Sequence, residues 1–314
     1  MPFSYVSYYD YHKPCYKLMV NEVLDSINDT PKNKNYILKY SNLNEIAIEL
    51  RYNQFEMYDE MMEKYFESHN PLDIKFLIFT GRDYFTNNAM SVPYYLIGKY
   101  GLKNASLIAL NQGCSGTPQG MNIARHIIKS DPEAKVMLVS LSKMGSIEER
   151  YVWPTINGDG AGMMVMESEG FLKIVDITSC SDGMVSFERC NKNRTDHEED
   201  VLKRENLNMF NVKKVILELL EHNNLSTDDI NIFIPQNLNH LLCRMYAKGI
   251  NVKPDKVFLE NIPYGGHLGD VDSTRNLKDA VSRYNEKTGT RFLLFTLGEV
   301  GQNYTYNSVL LESC

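Results

Sequence analysis

Residues 105–118 read ASLIALNQGCSGTP, and this stretch decides the fold. Its first six residues form a short apolar run that is typical of a strand. Pro118 falls where the first turn of a helix is expected, and the apolar residues after it recur at helical spacing. Cys114 is therefore predicted to lie where a strand turns sharply into a helix N-terminus. The unpaired N–H groups and the positive dipole end at such a turn favour a thiolate.

Two interpretations of Cys114 are open at this point. A free cysteine is most often a buried structural residue. Glycines flank Cys114 on both sides, however, as Gly113 and Gly116. Small residues there let a bulky substrate carbonyl approach the backbone, which favours a nucleophile.

The overall composition excludes several classes of protein. The chain has 314 residues, enough for two packed units or one large one, and 43% of them are hydrophobic. A formal net charge of -7 argues against generic nucleic-acid binding. We expect a cytoplasmic protein, because no apolar run could cross a membrane and the N-terminus lacks a signal-peptide pattern. The 6 cysteines contain no CxxC pair and are expected to be free thiols.

Helices and buried strands alternate along the predicted chain. Residues 1–50 give only a faint strand, helix and strand pattern. The later predictions are helices over 54–68, 92–100, 212–221, 241–248 and 276–284, and strands over 73–80, 134–141, 163–167, 229–235, 256–259, 291–297 and 304–312. A charged segment over 188–206 is predicted to be a solvated loop or surface helix, with a flap over the active site as the minor alternative.

The second half of the chain repeats the order of the first. Gly101 corresponds to Gly249, Cys114 to His267, and the strand after Gly162 to the last strand. This repeat of pattern predicts two α/β halves, 1–169 with the nucleophile and 170–314 with the base, each with a largely parallel sheet. Two halves packed about a pseudo-twofold axis would bring Cys114 and His267 together across the crevice between them.

Several motifs resemble the thiolase-fold family, specifically its ketoacyl synthase III branch. NQGCSGTPQGMNIA resembles the nucleophile motif of that branch, INGDGAGMMVM its glycine-aspartate-glycine turn, IPQNLN its proline-histidine-glutamine-alanine-asparagine motif, and FTLGEVGQNYTYNSVLLE its closing turn and last strand. The resemblance implies a five-layered αβαβα fold and a homodimer. It also implies an acyl-enzyme on Cys114, loaded from a carrier-protein or coenzyme A thioester, with no cofactor.

The departures from the branch change the expected chemistry. Gln236 stands where the branch has its catalytic histidine, and of the motif residues after Pro235 only Asn239 is kept. Gly266 and His267 stand where it has its catalytic asparagine. Gln236 and Asn239 are still candidates for holding a substrate thioester. A glutamine amide donates hydrogen bonds but cannot serve as a base, which weakens the standard chain-extension interpretation.

GHLGDVD resembles instead a divergent group of the branch that transfers acyl groups to oxygen or nitrogen. In this interpretation Cys114 is the nucleophile and His267 the general base. Asp272 orients the histidine, and its spacing in GHxGxxD favours it over Asp270. The predicted oxyanion donors are the backbone N–H of Cys114 and one near Gly301. The predicted function is an acyltransferase of secondary metabolism.

Alternatives remain open for the function. The protein could be a carbon–carbon-forming synthase or a non-catalytic partner of one. His240 could be a displaced base. Arg51 is a weak candidate for holding the nucleotide of coenzyme A, and a carrier-protein thioester is therefore slightly favoured as the acyl donor. Trp153 is predicted to lie in the core. His267 and Asp270 lack further ligands at metal-binding spacing, so no metal is expected.

Overall fold

A computed structural model describes residues 3–81, 91–184, 186, 198–284, 287–301 and 303–314. The strands are β1 (Ser4–His12), β2 (Tyr16–Met19), β3 (Glu45–Ile48), β4 (Ile74–Gly81), β5 (Ser106–Leu110), β6 (Lys135–Ser142), β7 (Tyr151–Val152), β8 (Thr155–Ile156), β9 (Gly160–Glu167), β10 (Leu172–Asp182), β11 (Ile232–Pro235), β12 (Tyr264–Gly265), β13 (Arg291–Val300) and β14 (Asn303–Ser313). The helices are α1 (Val20–Ser26), α2 (Pro31–Tyr36), α3 (Asp59–Phe66), α4 (Val92–Tyr100), α5 (Gly116–Ser130), α6 (Glu198–His222), α7 (His240–Gly249) and α8 (Val271–Tyr284).

Within the described residues, nine strands form one hydrogen-bonded sheet in the order β11-β13-β14-β10-β1-β9-β6-β4-β5. Strands from the first part of the chain lie on one side, and strands from the second part lie on the other. The two groups join where residues 4–6 of β1 pair with residues 172–174 of β10. The boundary at residue 169, just before β10, stays a prediction.

The sheet is mixed, so the expectation of largely parallel sheets was wrong. Strands β4, β5 and β6 are parallel, as are β11 and β13, and the remaining pairs of this sheet are antiparallel. The connection between β13 and β14 is a tight hairpin, which can join only antiparallel strands. Parallel strands occur only where a helix crosses over, as α4 and α5 do.

Five layers result from the way the helices cover the two groups of strands. Helices α5 and α8 lie in the middle, and one apolar cluster joins Met121 and Ile128 of α5, Leu277 of α8 and strands of both groups. Helices α3 and α4 cover the outer face of the first group. Helices α6 and α7 cover the outer face of the second. This is the αβαβα arrangement of a thiolase-like fold.

Most predicted elements are present, and two predictions need correction. The strand expected over 256–259 is only one bridge, between Val257 and Phe233, because a 3-10 turn that begins at Pro254 leads directly into it. Trp153 is not in the core, since 47% of its surface is exposed. Of the charged segment, residues 188–197 lie outside the described residues, and residues 198–206 form the start of α6.

Candidate active site

The nucleophile turn connects edge strand β5 to α5, and both of its glycines are required by packing. A Cβ on Gly113 would lie 2.4 Å from the carbonyl oxygen of Glu299, and Gly113 has a φ of 60°. A Cβ on Gly116 would lie 1.8 Å from Oγ1 of Thr80. The glycines therefore let neighbouring strands approach Cys114, which is a structural reason for them besides the substrate approach expected from the sequence.

His267 is positioned by the backbone of the β7–β8 hairpin and the residues after it. Its N–H donates to the carbonyl of Ile156 at 2.9 Å, and its carbonyl accepts from the N–H of Gly158 at 2.9 Å. Gly266 makes this close approach feasible, because a Cβ there would lie 2.7 Å from the Ile156 oxygen. The imidazole is consequently buried at the interface of the two halves.

Asp272 binds the side chain of His267 directly. Its Oδ2 lies 2.5 Å from Nδ1 of the ring. The same carboxylate accepts hydrogen bonds from the N–H of Leu268 and from the backbone and side-chain nitrogens of Asn237, each at 3.0 Å. These four contacts orient the imidazole and leave its Nε2 for another partner.

Cys114 is among the groups that shift the pKa of His267. Burial alone would lower the pKa of His267, but the charges of Cys114 and Asp272 and hydrogen bonds to both raise it to about 10. A Cβ on Gly269, two residues after His267, would lie 3.8 Å from Sγ of Cys114, so the histidine loop lies against the nucleophile. An imidazole so stabilised in its protonated form readily takes the proton of a neighbouring thiol. The catalytic roles of Cys114, His267 and Asp272 stay predictions.

Asp270 has different partners, although it lies only two residues before Asp272. Its Oδ1 accepts from the N–H groups of Gly116 and Thr117, at 2.5 and 3.2 Å, and its Oδ2 accepts from Oγ1 of Thr80 at 2.5 Å. It therefore occupies the N-terminus of the nucleophile helix. Burial raises its pKa to about 6, although these hydrogen bonds and the charge of His267 oppose the rise.

The amides of Gln236 and Asn239 are bonded to the protein itself. Gln236 donates from Nε2 to the carbonyl of Cys114 and accepts from the N–H of Leu297 at 2.9 Å. Asn239 caps α7 by accepting from the N–H of Leu242 at 2.8 Å, and it donates to the carbonyl of Pro154 at 3.2 Å. Gln236 thus lies beside the nucleophile but braces its backbone, whereas Asn239 holds a helix end.

Gly301 lies exposed at the tip of the β13–β14 hairpin. The part of β13 that contacts the nucleophile turn lies two and three residues earlier. A Cβ on Gly298 would lie 2.0 Å from the carbonyl of Gln112, and one on Gly113 would lie 2.6 Å from the backbone nitrogen of Glu299. The sequence motif gave no register for this turn, because the hairpin extends beyond the point of contact.

The other sequence candidates lie elsewhere. His240 is the first residue of α7, and burial and the charge of Arg244 lower its pKa. The guanidinium of Arg51 lies 5.0 Å from the centroid of the Tyr52 ring and 3.8 Å from the Glu49 carboxylate. Within the described ranges, no group of three or more metal-ligating side chains is assembled.

Trp153 lies on an aromatic and basic surface that was not predicted from the sequence. Its ring lies 4.9 Å from that of Tyr36, and both border an open hollow with Tyr40, Lys32 and Lys39. Because Trp153 is three residues before Ile156, which binds the backbone of His267, this aromatic and basic surface adjoins the histidine loop.

Comparisons with known proteins identify the family of the chain. Residues 108–183 match the family model of 3-oxoacyl-[acyl-carrier-protein] synthase III, and residues 220–313 match the model of its C-terminal part. The chain belongs to the ketoacyl synthase III-like branch of the thiolase-fold superfamily.

Relatives in this branch are distant in sequence. The chain is 26% identical over 224 residues to β-ketoacyl-[acyl-carrier-protein] synthase III 2 of Staphylococcus epidermidis, over 66% of the chain and 68% of the relative. It is 25% identical over 253 residues to the synthase III of Nitratidesulfovibrio vulgaris, over 72% of the chain and 74% of the relative.

Solved structures match over nearly the whole chain and share its fold. The acyltransferase ChlB3 superposes with a TM-score of 0.82 at 16% identity, over 99% of this chain and 98% of the other. The synthase III of Aquifex aeolicus superposes with a TM-score of 0.80 at 20% identity, over 98% and 99%. No helix among the described residues has the length and apolar character to span a membrane.

Proposed function

We propose that the protein transfers an acyl group from a thioester to a hydroxyl or amine, through an acyl-enzyme on Cys114. The observation that carries this proposal is the buried pair of His267 and Asp272 beside the thiol. One carboxylate fixes one ring nitrogen, so that the other nitrogen serves the nucleophile. We place the reaction in secondary metabolism because the site departs from that of chain-extending synthases.

The first half-reaction loads the enzyme. Nε2 of His267 takes the thiol proton, and the sulfur of Cys114 forms a bond to the carbonyl carbon of the donor thioester. The bond between that carbon and the donor sulfur then breaks, and the imidazolium returns its proton to the departing thiolate. The backbone N–H groups of Cys114 and Glu299 are the proposed donors to the oxyanion, with Gly301 as the donor expected from the sequence.

The second half-reaction discharges the acyl group. The neutral imidazole takes a proton from the acceptor hydroxyl or amine as the new bond to the carbonyl carbon forms. The bond between carbon and the Cys114 sulfur breaks, and the imidazolium reprotonates the thiolate. His267 thus serves as the base in both half-reactions, because Asp272 holds its ring in one orientation.

The neighbouring amides support transfer rather than decarboxylative condensation. Condensation needs donors that stabilise an enolate-like charge on a malonyl thioester. Gln236 and Asn239 stand at the corresponding motif, and both amides are occupied by backbone groups. ChlB3, one of the similar solved structures, is named as an acyltransferase.

A carbon–carbon-forming synthase is the second candidate, because the curated relatives are named β-ketoacyl-[acyl-carrier-protein] synthases. The donor would be a carrier-protein or coenzyme A thioester in either case. A homodimer is part of the proposal as well, and the half-exposed edge strand β5 offers a surface for it. A non-catalytic partner subunit is disfavoured, since such a protein has no need of a base next to Cys114.

One experiment separates these functions. The protein is incubated with an acyl pantetheine thioester, and intact mass spectrometry measures the acyl group on Cys114. Malonyl thioester, alcohols and amines are then offered separately. We expect loading, followed by discharge with an alcohol or an amine. Discharge by malonyl alone would establish the synthase instead, and absence of loading would favour a non-catalytic subunit.

Two variants test whether a cysteine other than Cys114 becomes acylated. Cys114→Ala should abolish loading, whereas Cys15→Ser removes an exposed thiol and should leave loading unchanged. Acylation that persists in the first variant and disappears in the second would show that the signal came from exchange at the surface.

A further inference from the structure

A small cavity lies directly beside the nucleophile. It has a volume of about 10 Å³, and its wall includes Cys114, Ser142, Asn157 and Asp270. A space of this size holds one water-sized group. An acyl group on Cys114 can therefore place one group of that size, such as a hydroxyl, in the cavity.

Most polar groups in the wall of this cavity are already bonded. Ser142 donates from Oγ to the carbonyl of Gly158 at 2.8 Å. Both carboxylate oxygens of Asp270 accept hydrogen bonds from the nucleophile helix and Thr80. These groups are committed to the protein itself.

Asn157 is the exception. Its residue is only 2% exposed, and its side-chain Oδ1 is buried with no hydrogen-bond partner among the described residues. Its backbone is fixed, because its N–H donates to the carbonyl of Arg150 at 2.7 Å and it bridges to His267. A buried amide oxygen without a partner is unfavourable, so its presence at a cavity wall indicates a group that arrives with a ligand.

We propose that Asn157 is a specificity-determining residue that binds a hydroxyl group on the acyl chain carried by Cys114. The acyl substrates are then short 2-hydroxyacyl groups, whose hydroxyl fills the cavity and donates to Oδ1 of Asn157. This inference rests on the proposed acyl-enzyme and adds the class of acyl group to it.

The test compares two acyl groups of equal size. Glycolyl and propionyl pantetheine thioesters differ only by a hydroxyl in place of a methyl group. Initial rates of Cys114 acylation are measured for each by intact mass spectrometry. We expect the wild-type protein to prefer glycolyl by about 10- to 100-fold, the range expected when a buried polar group loses its partner.

Asn157→Leu keeps the size of the side chain and removes its amide. We expect this variant to reverse the preference in favour of propionyl. Met245→Leu, an apolar exchange on the exposed face of α7 and away from the cavity, should keep the wild-type ratio within about threefold. If Asn157→Leu does not fold, Asn157→Ala, which also lacks the amide, takes its place and should likewise lose the preference for glycolyl.

The outcomes separate the two proposals. Equal acylation by both thioesters, or a preference for propionyl, would overturn the role of Asn157 and leave the acyl-enzyme intact. A preference for glycolyl that Asn157→Leu retains would also overturn it. No acylation of Cys114 by either thioester would overturn the proposed function, and this inference with it.

Discussion

Two buried carboxylates, two residues apart at the start of α8, serve different regions of the molecule. Asp272 faces the second part of the chain, where it binds the imidazole of His267, the N–H of Leu268 and two nitrogens of Asn237. Asp270 faces the other half of the chain, where it binds the start of α5 and Thr80. We therefore expect acylation of Cys114 to depend on Asp272, and the packing of the two halves against each other to depend on Asp270.

Asp272→Asn should have the largest effect on the reaction. An amide next to Nδ1 favours the wrong tautomer of His267 and does not stabilise the imidazolium. The rate of Cys114 acylation should fall by up to about 10⁴-fold, the loss typical of a triad aspartate changed to asparagine. Intact mass spectrometry of samples quenched at a series of times measures the rate of acylation.

Asp270→Asn is the matched control for that variant. It makes the same chemical change two residues away, and acylation should fall by less than about tenfold, because Asp270 does not touch the imidazole. Equal losses in the two variants would contradict the division of roles between the carboxylates.

Asp270→Asn should have its own effect on the pH dependence of stability. Burial raises the pKa of Asp270 from 3.8 to about 6 in the folded protein. The folded state therefore holds this proton more tightly than the unfolded state. The stabilisation is fully present below about pH 4 and is lost as the pH rises to about 6 and above.

The variant removes this loss because asparagine does not titrate. Relative to wild type, the free energy of unfolding of Asp270→Asn should improve by on the order of 3 kcal/mol between pH 4 and pH 7.5. Urea titrations at both pH values measure the difference. A difference that stays constant with pH would mean that Asp270 is not held near neutrality by its surroundings.

Thr80→Val should have the smallest effect. It removes one donor to Asp270 and keeps the shape of the side chain. We expect the free energy of unfolding at pH 7.5 to fall by about 1–3 kcal/mol, with a smaller loss at pH 4, where the carboxyl is protonated. Urea titration checks the stability, and acylation of Cys114 should change little. A large loss of acylation would place Thr80 and Asp270 in the chemistry after all.

Local patterns predicted the framework well. The apolar run, the glycines and Pro118 gave the strand, turn and helix around Cys114, and Gly101 marks the end of α4 with a φ of 66°. The repeat of pattern led to the expectation that His267 faces Cys114, because equivalent turns of two packed halves meet. Each of these features depends on backbone conformation or periodicity, which a single sequence carries.

The side-chain partners were harder to predict. Gln236 and Asn239 were expected to hold substrate, and the structure pairs both with backbone groups from segments distant in sequence. The exposure of Trp153 depends on how the β7–β8 hairpin packs beside α2, which periodicity does not describe. The contact of Gly298 with the nucleophile turn was not predicted for the same reason, because its neighbour there, Gln112, is in the other half of the chain.

The fixed backbone of Asn157 has a consequence for how such a site evolves. Its main chain is held by Arg150 and by the histidine loop, so that a change of side chain would leave the sulfur and imidazole where they are. A single codon change could then exchange one accepted acyl group for another while the reaction itself continues. If the proposed function holds, related proteins could come to accept different acyl groups while Cys114 and His267 stay in place.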